Sequence, residues 1–207
     1  MALDGTYNGL VGAIAGWLHR ADLAADIPDF IVLAEARIAR DLRLRGQLVK
    51  ATLACTPGQR EVPLPADYLE SENLTITVGG VERHLGYVTS ETADVRMPFG
   101  GASGAPAFFT VLGNNLLLGP TPDAAYVVTL DYYARLAALG PGNPGNFLLA
   151  TAPGVYLWAA LAEAAPFLAD DPRAATWEAK YQADAGALQA ADDEAARSGA
   201  SMRVRSL

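Results

Sequence analysis

One cysteine, two histidines and three methionines in 207 residues leave little material for a metal centre, a disulfide framework or thiol chemistry. Cys55 has no partner for an internal disulfide. Its place between Ala54 and Thr56 in a strand-like run predicts a small buried side chain rather than a nucleophile. His19 and His84 are far apart, and neither has a second histidine or a cysteine at metal-ligand spacing, so a zinc site has little support. No apolar run approaches the ~20 residues needed to span a bilayer, and the N-terminus lacks a positive region followed by an apolar core and cleavage site. The expectation is a chain folded in a cytoplasm, with no membrane partner.

Catalytic motifs are equally scarce. Ser103 lies in Gly101, Ala102, Ser103, Gly104, which is not the strand-to-helix elbow of a serine hydrolase. Gly100 to Gly104 has no lysine at P-loop spacing and no helix directly after it, so it is a poor phosphate cradle. Asp67, Glu70 and Glu72 hold the makings of an acid and base pair, and sequence does not set their separation; a turn, a strand edge or a subunit contact accounts for them as well. Phe108 with Phe109, and Tyr132 with Tyr133, sit on strands where neighbours point to opposite faces, so one of each pair belongs to the core and the other outside. No cofactor, metal or catalytic residue is expected.

Positive charge is the other shortage. The net charge of −8 argues against a general nucleic-acid binder, which needs a basic surface to displace counterions from phosphates. Of the fifteen basic residues, five fall between Arg37 and Lys50, while Glu163 to Glu194 is acidic. The two ends of the chain therefore offer opposite signs to a partner or to neighbouring copies, or else form ordinary solvated helix faces.

What the chain has is pattern: 51% of its residues are hydrophobic and 18% charged, many of the former alanine, as in a helix-rich globular fold. Tyr7, Leu10, Val11, Ile14, Trp17 and Leu18 recur at helical spacing, with Thr6 as N-cap. A second helix begins at Ile27, with Asp26 as its N-cap, Pro28 in the first turn, Asp29 at the positive dipole end and Gly46 as its stop. Phe30, Ala34, Ile38 and Leu42 make its apolar stripe, and Arg37, Arg40 and Arg43 a neighbouring ridge. From Leu48 the pattern turns to short strands near Leu48–Cys55, Arg60–Val62, Leu74–Val78, Val81–Val88, Ala107–Leu112, Asn115–Leu118 and Tyr126–Ala134. Gly79 with Gly80, and Gly113 with Asn114, are hairpin turns, and Met97 to Pro106 is an exposed loop. Gly140 to Gly145 reads as a linker. Val155 to Leu168, nearly all apolar, belongs in the centre of a bundle, with Pro166 near its end. Asp171 and Pro172 start a last helix with a seam of Trp177, Tyr181, Ala185 and Leu188, which Gly199 stops.

The expected fold is α+β: a helical bundle formed by the N- and C-terminal helices, with an inserted antiparallel β-sandwich or curved sheet, in one domain over residues 1–207. Within it, 1–47 and 151–198 form the bundle, in which the first and last helices pair across the β segment. Residues 48–135 form the β subdomain, 136–150 the linker and 199–207 a C-terminal tail.

Three stretches carry a resemblance: the capped, arginine-studded run from Ile27 to Arg45; Leu64, Pro65, Asp67, Tyr68, Leu69 and Glu70; and the block Tyr156 to Ala165. Together they resemble the phage head-to-tail adaptor (connector) proteins, as found in short-tailed phages and gene transfer agents, over Thr6 to about Arg197. The resemblance implies a structural, non-enzymatic virion protein of the head–tail neck, made in a bacterial host's cytoplasm. It implies a ring, commonly a dodecamer, beneath the portal protein, with a docking surface for a downstream neck or tail protein. Genomic DNA passes through the channel without sequence-specific binding, and an acidic wall suits that passage.

On that reading Arg37, Arg40 and Arg43 meet acidic groups on the portal or a neighbouring subunit; the other reading of the same residues is intrahelical and bundle salt bridges, including Arg37 with Asp41. The tail has two readings: an ordinary frayed terminus, or an added strand or extended arm ordered on assembly, in which Met202, Val204 and Leu207 enter apolar grooves while Arg203 and Arg205 meet acidic surface on the portal or a neighbouring subunit. A tail-associated polysaccharide hydrolase, marked by paired carboxylates in an open groove, and a carbohydrate-binding β-sandwich, marked by an exposed aromatic platform, are the alternatives.

Overall fold

The computed structural model describes residues 3–96, 101–168 and 172–197. The chain runs through α1 (Tyr7–Leu18), α2 (Ile27–Asp41), β1 (Leu48–Ala54), β2 (Glu61–Pro63), β3 (Tyr68–Val78), β4 (Val81–His84), β5 (Gly86–Tyr87), α3 (Ser90–Arg96), β6 (Phe108–Leu112), β7 (Asn115–Gly119), β8 (Val127–Ala134), α4 (Phe147–Thr151), α5 (Pro153–Ala164) and α6 (Ala174–Arg197). The fold is α+β, with helices at both ends of the described chain. Contacts divide it into a helical unit, holding the described residues up to Gly46 and from Leu136 on, and a β unit from Gln47 to Arg135.

In the helical unit, α5 is the hub: it packs against α1, α2, α4 and α6. Its Val155, Tyr156, Leu157, Ala159, Ala160, Leu161 and Ala164 are all buried, as befits a helix whose one charge is Glu163. The first and last helices each pack on α5 and are not a principal pair with one another. On α1 the buried set is Tyr7, Leu10, Ala13, Ile14 and Leu18, a narrower stripe than expected. Trp17 is 45% exposed and meets Trp158 edge-on, with ring centroids 5.1 Å apart. Phe30, Ala34, Ile38 and Leu42 are buried as their spacing implies, as are Trp177, Tyr181 and Ala185.

The helix ends differ in how they are satisfied. Thr6 caps α1 by accepting from the Gly9 N–H at 3.0 Å. Asp26 does not cap α2: its backbone is already right-handed helical and its side chain bonds no first-turn N–H. The turn ahead of it is a short 3-10 segment, Ala21–Leu23, whose Leu23 carbonyl accepts from the Asp26 N–H at 3.0 Å, so the chain enters α2 already wound. The other end comes earlier than Gly46. Leu42 is extended, and the Arg43 guanidinium donates to the carbonyls of Ala39 at 2.7 Å and Leu42 at 2.8 Å, supplying partners to carbonyls that a helix terminus leaves open. Beyond α5 the chain tightens to 3-10 geometry over Ala165–Leu168, around Pro166.

Residues 136–150 are more than a spacer. Leu139, Leu148 and Leu149 are buried in the helical core, and α4 begins within this stretch. Asn146 caps α4 by accepting from the Leu149 N–H at 2.9 Å and donates to the Tyr156 hydroxyl at 2.7 Å. The Tyr7 N–H donates to the Pro144 carbonyl at 2.6 Å. Glu35 of α2 accepts from the Leu139 N–H at 2.8 Å. Burial pushes the Glu35 carboxyl up, only partly countered by that bond. A raised carboxyl binds its proton more readily folded than unfolded, so its contribution to stability falls as pH rises from the ordinary glutamate value through the raised one. Glu35→Gln, which keeps an acceptor for Leu139, is expected to gain stability relative to the parent chain as pH goes from 4 to 7. Urea unfolding across that pH range checks it; a constant difference between the two chains would remove Glu35 as the source.

In the β unit, one sheet has the strand order β1-β8-β3-β4 and the other β2-β7-β6-β5. Their inner faces share one core, with Leu74, Ile76, Val128, Leu130 and Tyr132 from the first and Val62, Phe109, Leu116 and Leu118 from the second. That is a sandwich, antiparallel except where β5 pairs with β6 in parallel. Gly79, Gly80 and Gly113 all have positive φ, as their hairpin turns require. Two strands differ from expectation. β3 starts at Tyr68 rather than Leu74, with register shifts against β8 between Tyr68 and Glu70 and between Ser71 and Asn73. The run from Val81 is split, because Leu85 follows β4 into the core and β5 joins the other sheet. The short helix α3 follows, its start marked by the Thr89 hydroxyl accepting from the Thr92 N–H at 3.3 Å.

Candidate functional site

The three arginines singled out by the sequence end in three different settings. Arg37, its side chain 16% exposed, is held among α2, α5 and α6. Its guanidinium donates to Glu163 at 3.3 Å and to Glu178, lies 3.8 Å from Asp41 and stacks over the Tyr181 ring at 4.4 Å. The Tyr181 hydroxyl donates to Asp41 at 2.7 Å. Burial works against the charge on Arg37, but the hydrogen bond and charge of Glu178 outweigh it and leave the guanidinium more firmly protonated than usual. Glu178 is held down by the amide of Gln182 and then by Arg37. Burial, and then the bond to Asp41, push the Tyr181 hydroxyl up.

Arg43 lies beyond the helix. Besides its two carbonyl contacts, its backbone is clamped by Gln189 of α6, which accepts from its N–H at 3.0 Å and donates to its carbonyl at 3.0 Å. Arg45 pairs with Asp192 at 3.2 Å. The basic stretch and the acidic C-terminal helix thus answer one another within the helical unit. Arg40 is exposed and makes no ion pair among the described residues. Steps of three residues drift about 60° round a helix, and α2 stops at Asp41, so the expected ridge is broken into a cross-link, a free cation and a cap. Two turns before Arg40, α2 exposes Val32, at 58%, and Leu33, at 45%. Leu33 and Arg40 are seven residues apart, about two turns, and so lie along one line of the helix roughly 10 Å from each other.

Met202, Arg203, Val204, Arg205 and Leu207 lie outside the described residues, as do Asp171 and Gly199, expected to bound the last helix.

In the β unit a groove of about 520 Å³ runs along Tyr68 to Leu74 and is closed on its far side by Leu85 and, from the other sheet, by Tyr87, Phe109 and Val111. Glu70 and Glu72 line it and are exposed. They stand two residues apart on one strand, whereas acid–base hydrolysis of a glycoside needs carboxylates on opposite sides of the scissile bond. Tyr87, 62% exposed, meets the buried Phe109 edge-on, with centroids 5.6 Å apart, so the two rings offer no common flat platform. Asp67 accepts from the Tyr132 hydroxyl at 2.9 Å. Burial and that bond push Tyr132 up to about 12. The groove escaped the sequence reading because two bulges hide the alternation of β3; the exposed Tyr87 beside an otherwise ordinary strand was the available signal.

Other candidates are dispersed. His84 contacts Asn73 at 3.0 Å, and His19 ends α1 in the left-handed region at φ 53°. Among the described residues no group of histidines, cysteines and carboxylates is placed to hold a metal ion. Cys55 is buried, and burial pushes its thiol up. No helix among the described residues is long and apolar enough to cross a membrane.

Compared with known proteins, residues 5–205 match the family described as SU10 adaptor protein. No curated protein matches the chain.

Proposed function

Because the chain belongs to the SU10 adaptor protein family, we propose that it is a head-to-tail adaptor of the phage neck. Copies assemble as a dodecameric ring beneath the portal protein and present the docking surface for the next neck or tail protein. The observation that carries this reading is the extent of the match, from residue 5 to residue 205, which takes in both units rather than one shared subdomain. The polar chemistry supports it. Charged groups such as Arg37, Arg45, Glu163, Glu178 and Asp192 are spent on fastening helices to one another. A chain of net charge −8 repels the phosphates of a genome that must pass without sticking.

Of the three arginines, Arg40 is the one available to a partner. With Leu33 two turns before it on the same line of α2, and exposed, this helix offers an apolar contact and a cation, suited to an acidic patch on the portal or on a neighbouring copy. Arg37 and Arg43 act from within, by holding α2 in place.

Purified chain mixed with the portal dodecamer of its own phage tests the proposal by electron microscopy and native mass measurement. The expected result is a ring of adaptor copies stacked on the portal, whatever the state of the chain alone. No attachment to the portal would overturn it. In the same assay Arg40→Glu is expected to lower occupancy of the portal by about tenfold, an effect that shrinks as salt is raised. Deleting the residues after Ser198 is expected to leave the free chain folded but weaken the ring.

A further inference from the structure

The two sheets of the β unit have four edge strands, and three of them carry a device against unwanted pairing. β2 is three residues long and ends in Pro63, β5 is two residues long, and β4 exposes Glu82, Arg83 and His84. β1 carries none. Its seven residues, Leu48 to Ala54, pair with β8 in unbroken register, with neither bulge nor proline, and Lys50 is its one charge. Among the described residues no backbone group bonds to the other edge of β1 or to the outer edge of β4. Leu48 and Val49 are exposed, so the start of the β1 edge is open to solvent.

The direction of the edge groups follows from the neighbouring bonds. The Cys55 N–H donates to the Tyr126 carbonyl at 3.0 Å, on the β8 side. Backbone groups alternate in direction along a strand, so those of Lys50 and Thr52 point away from β8. The Leu85 N–H donates to the Leu74 carbonyl at 2.9 Å, on the β3 side, so the backbone groups of Glu82 and His84 point away from β3. Cross-strand partners share a face. Val49, opposite the buried Tyr132, and Arg83, opposite the buried Ile76, lie on the core side, and Lys50 and Glu82 on the outer side.

β1, β8, β3 and β4 are antiparallel in turn, so the two edge strands of this sheet run in opposite directions. Copies set side by side with their sheets facing the same way bring β4 of one against β1 of the next as an antiparallel pair. Matching faces and outward groups leaves two registers in which all of β4 is paired: His84 opposite Leu48, or His84 opposite Lys50. The first sets Glu82 opposite Lys50 and Arg83 opposite Val49; opposite charges across the pair favour it. Both charged groups have capacity left. Glu82 accepts from the Thr75 hydroxyl through Oε1 at 2.6 Å, which leaves Oε2, and the Lys50 ammonium, 69% exposed, holds Asp131 at 3.5 Å. Two β1 strands paired with each other would stop at two copies, whereas β4 against β1 leaves one free edge of each kind for further copies.

We propose that β4 of one copy of this chain adds to the free edge of β1 of a second copy, with Glu82 opposite Lys50, so that the sheet runs on from subunit to subunit. The inference deepens the adaptor reading and rests on it for the closing of a ring; the strand pairing itself needs only a second copy.

Cysteine cross-linking tests it. Val49→Cys and Arg83→Cys are placed in one chain, where they lie on opposite edges of a four-stranded sheet, three strand spacings or roughly 14 Å apart at the least, too far for an internal disulfide. Between copies they form a non-hydrogen-bonded pair with Cα atoms about 4.5 Å apart, within disulfide reach. Oxidised with copper phenanthroline, the double variant is expected to give a ladder of disulfide-linked multimers on a denaturing gel, both in concentrated solution and on the portal, while either single variant gives none. Lys50→Glu in that background is expected to lower the ladder about threefold, and Glu82→Lys added to it to restore it. Lys50→Pro, which removes an N–H that bonds nothing within the chain, is expected to abolish it. Leu48→Cys with His84→Cys reads the same register if the first pair misfolds.

No ladder in either setting would overturn the proposal. So would a dimer from Val49→Cys alone, which marks β1 pairing with itself, or a ladder from Ala51→Cys with Arg83→Cys in place of the first pair, which marks the other register. A chain that attaches to the portal without the ladder keeps the adaptor assignment and loses this pairing; a chain that gives the ladder in solution but never attaches keeps the pairing and loses the adaptor assignment.

Discussion

Replacing Trp177 with alanine is expected to lower the stability of the helical unit by about 3–5 kcal/mol, the range for a large aromatic deleted from a packed core. Trp177 is 1% exposed, the largest fully buried side chain, and sits in the first turns of α6, one of the helices packed on the α5 hub. Arg173 covers the ring at 4.9 Å and donates to the Trp17 carbonyl at 2.8 Å, so the indole also supports a tie back to the end of α1. The cavity left by alanine has little means of collapse, because α6 is pinned farther along by Arg37–Glu178, Tyr181–Asp41 and Gln189–Arg43. Urea unfolding followed by far-ultraviolet circular dichroism measures the loss. Trp177→Phe is expected to recover part of it; a loss below about 1 kcal/mol for the alanine variant would mean that α6 is not anchored through this residue.

Leu130→Ala is expected to cost the β unit about 2–5 kcal/mol. Leu130 is fully buried at the middle of β8, opposite Ala51 of β1 and Leu74 of β3, so the cavity opens where two strand pairings meet the shared core of the sandwich. Val127→Ala on the same strand, at a position 49% exposed, is the control and is expected to change stability by less than about 0.5 kcal/mol. Equal effects at the two positions, read from the same denaturant titrations, would contradict the face assignment of β8. The contrast is set by the two-residue alternation of a strand with one face in the core.

How legible each part was in the sequence follows from the range of the interaction that decides it. The stripe Phe30, Ala34, Ile38, Leu42 and the seam Trp177, Tyr181, Ala185 are repeats within one helix, and burial follows directly from the repeat. The hairpins at Gly79–Gly80 and Gly113–Asn114 depend on backbone conformations that glycine alone reaches cheaply. The apolar block from Val155 onward carries one charge, Glu163, and so no broad polar face to show to water, and its place at the hub was implied by composition. The acid and arginine positions were legible as residues but not as contacts. Arg37 meets Glu163 and Glu178, 126 and 141 positions away; only its partner four residues on, Asp41, was local, and that pairing did not foretell the burial that separates it from Arg40, which faces solvent.

By itself, then, the amino-acid sequence determined the element types, the α+β class, the apolar faces and the family. Tertiary structure alone decided which charges cross-link the helices, where α2 ends, that Asp26 is not a cap, that β5 runs parallel to β6 and that β4 pairs with only the last residues of β3. Helical periodicity and turn chemistry act over three or four residues and are written in neighbouring side chains. Strand register and ion-pair choice depend on which distant segments the shared cores bring together, and that is settled only when α5 and the two sheets bury their apolar faces.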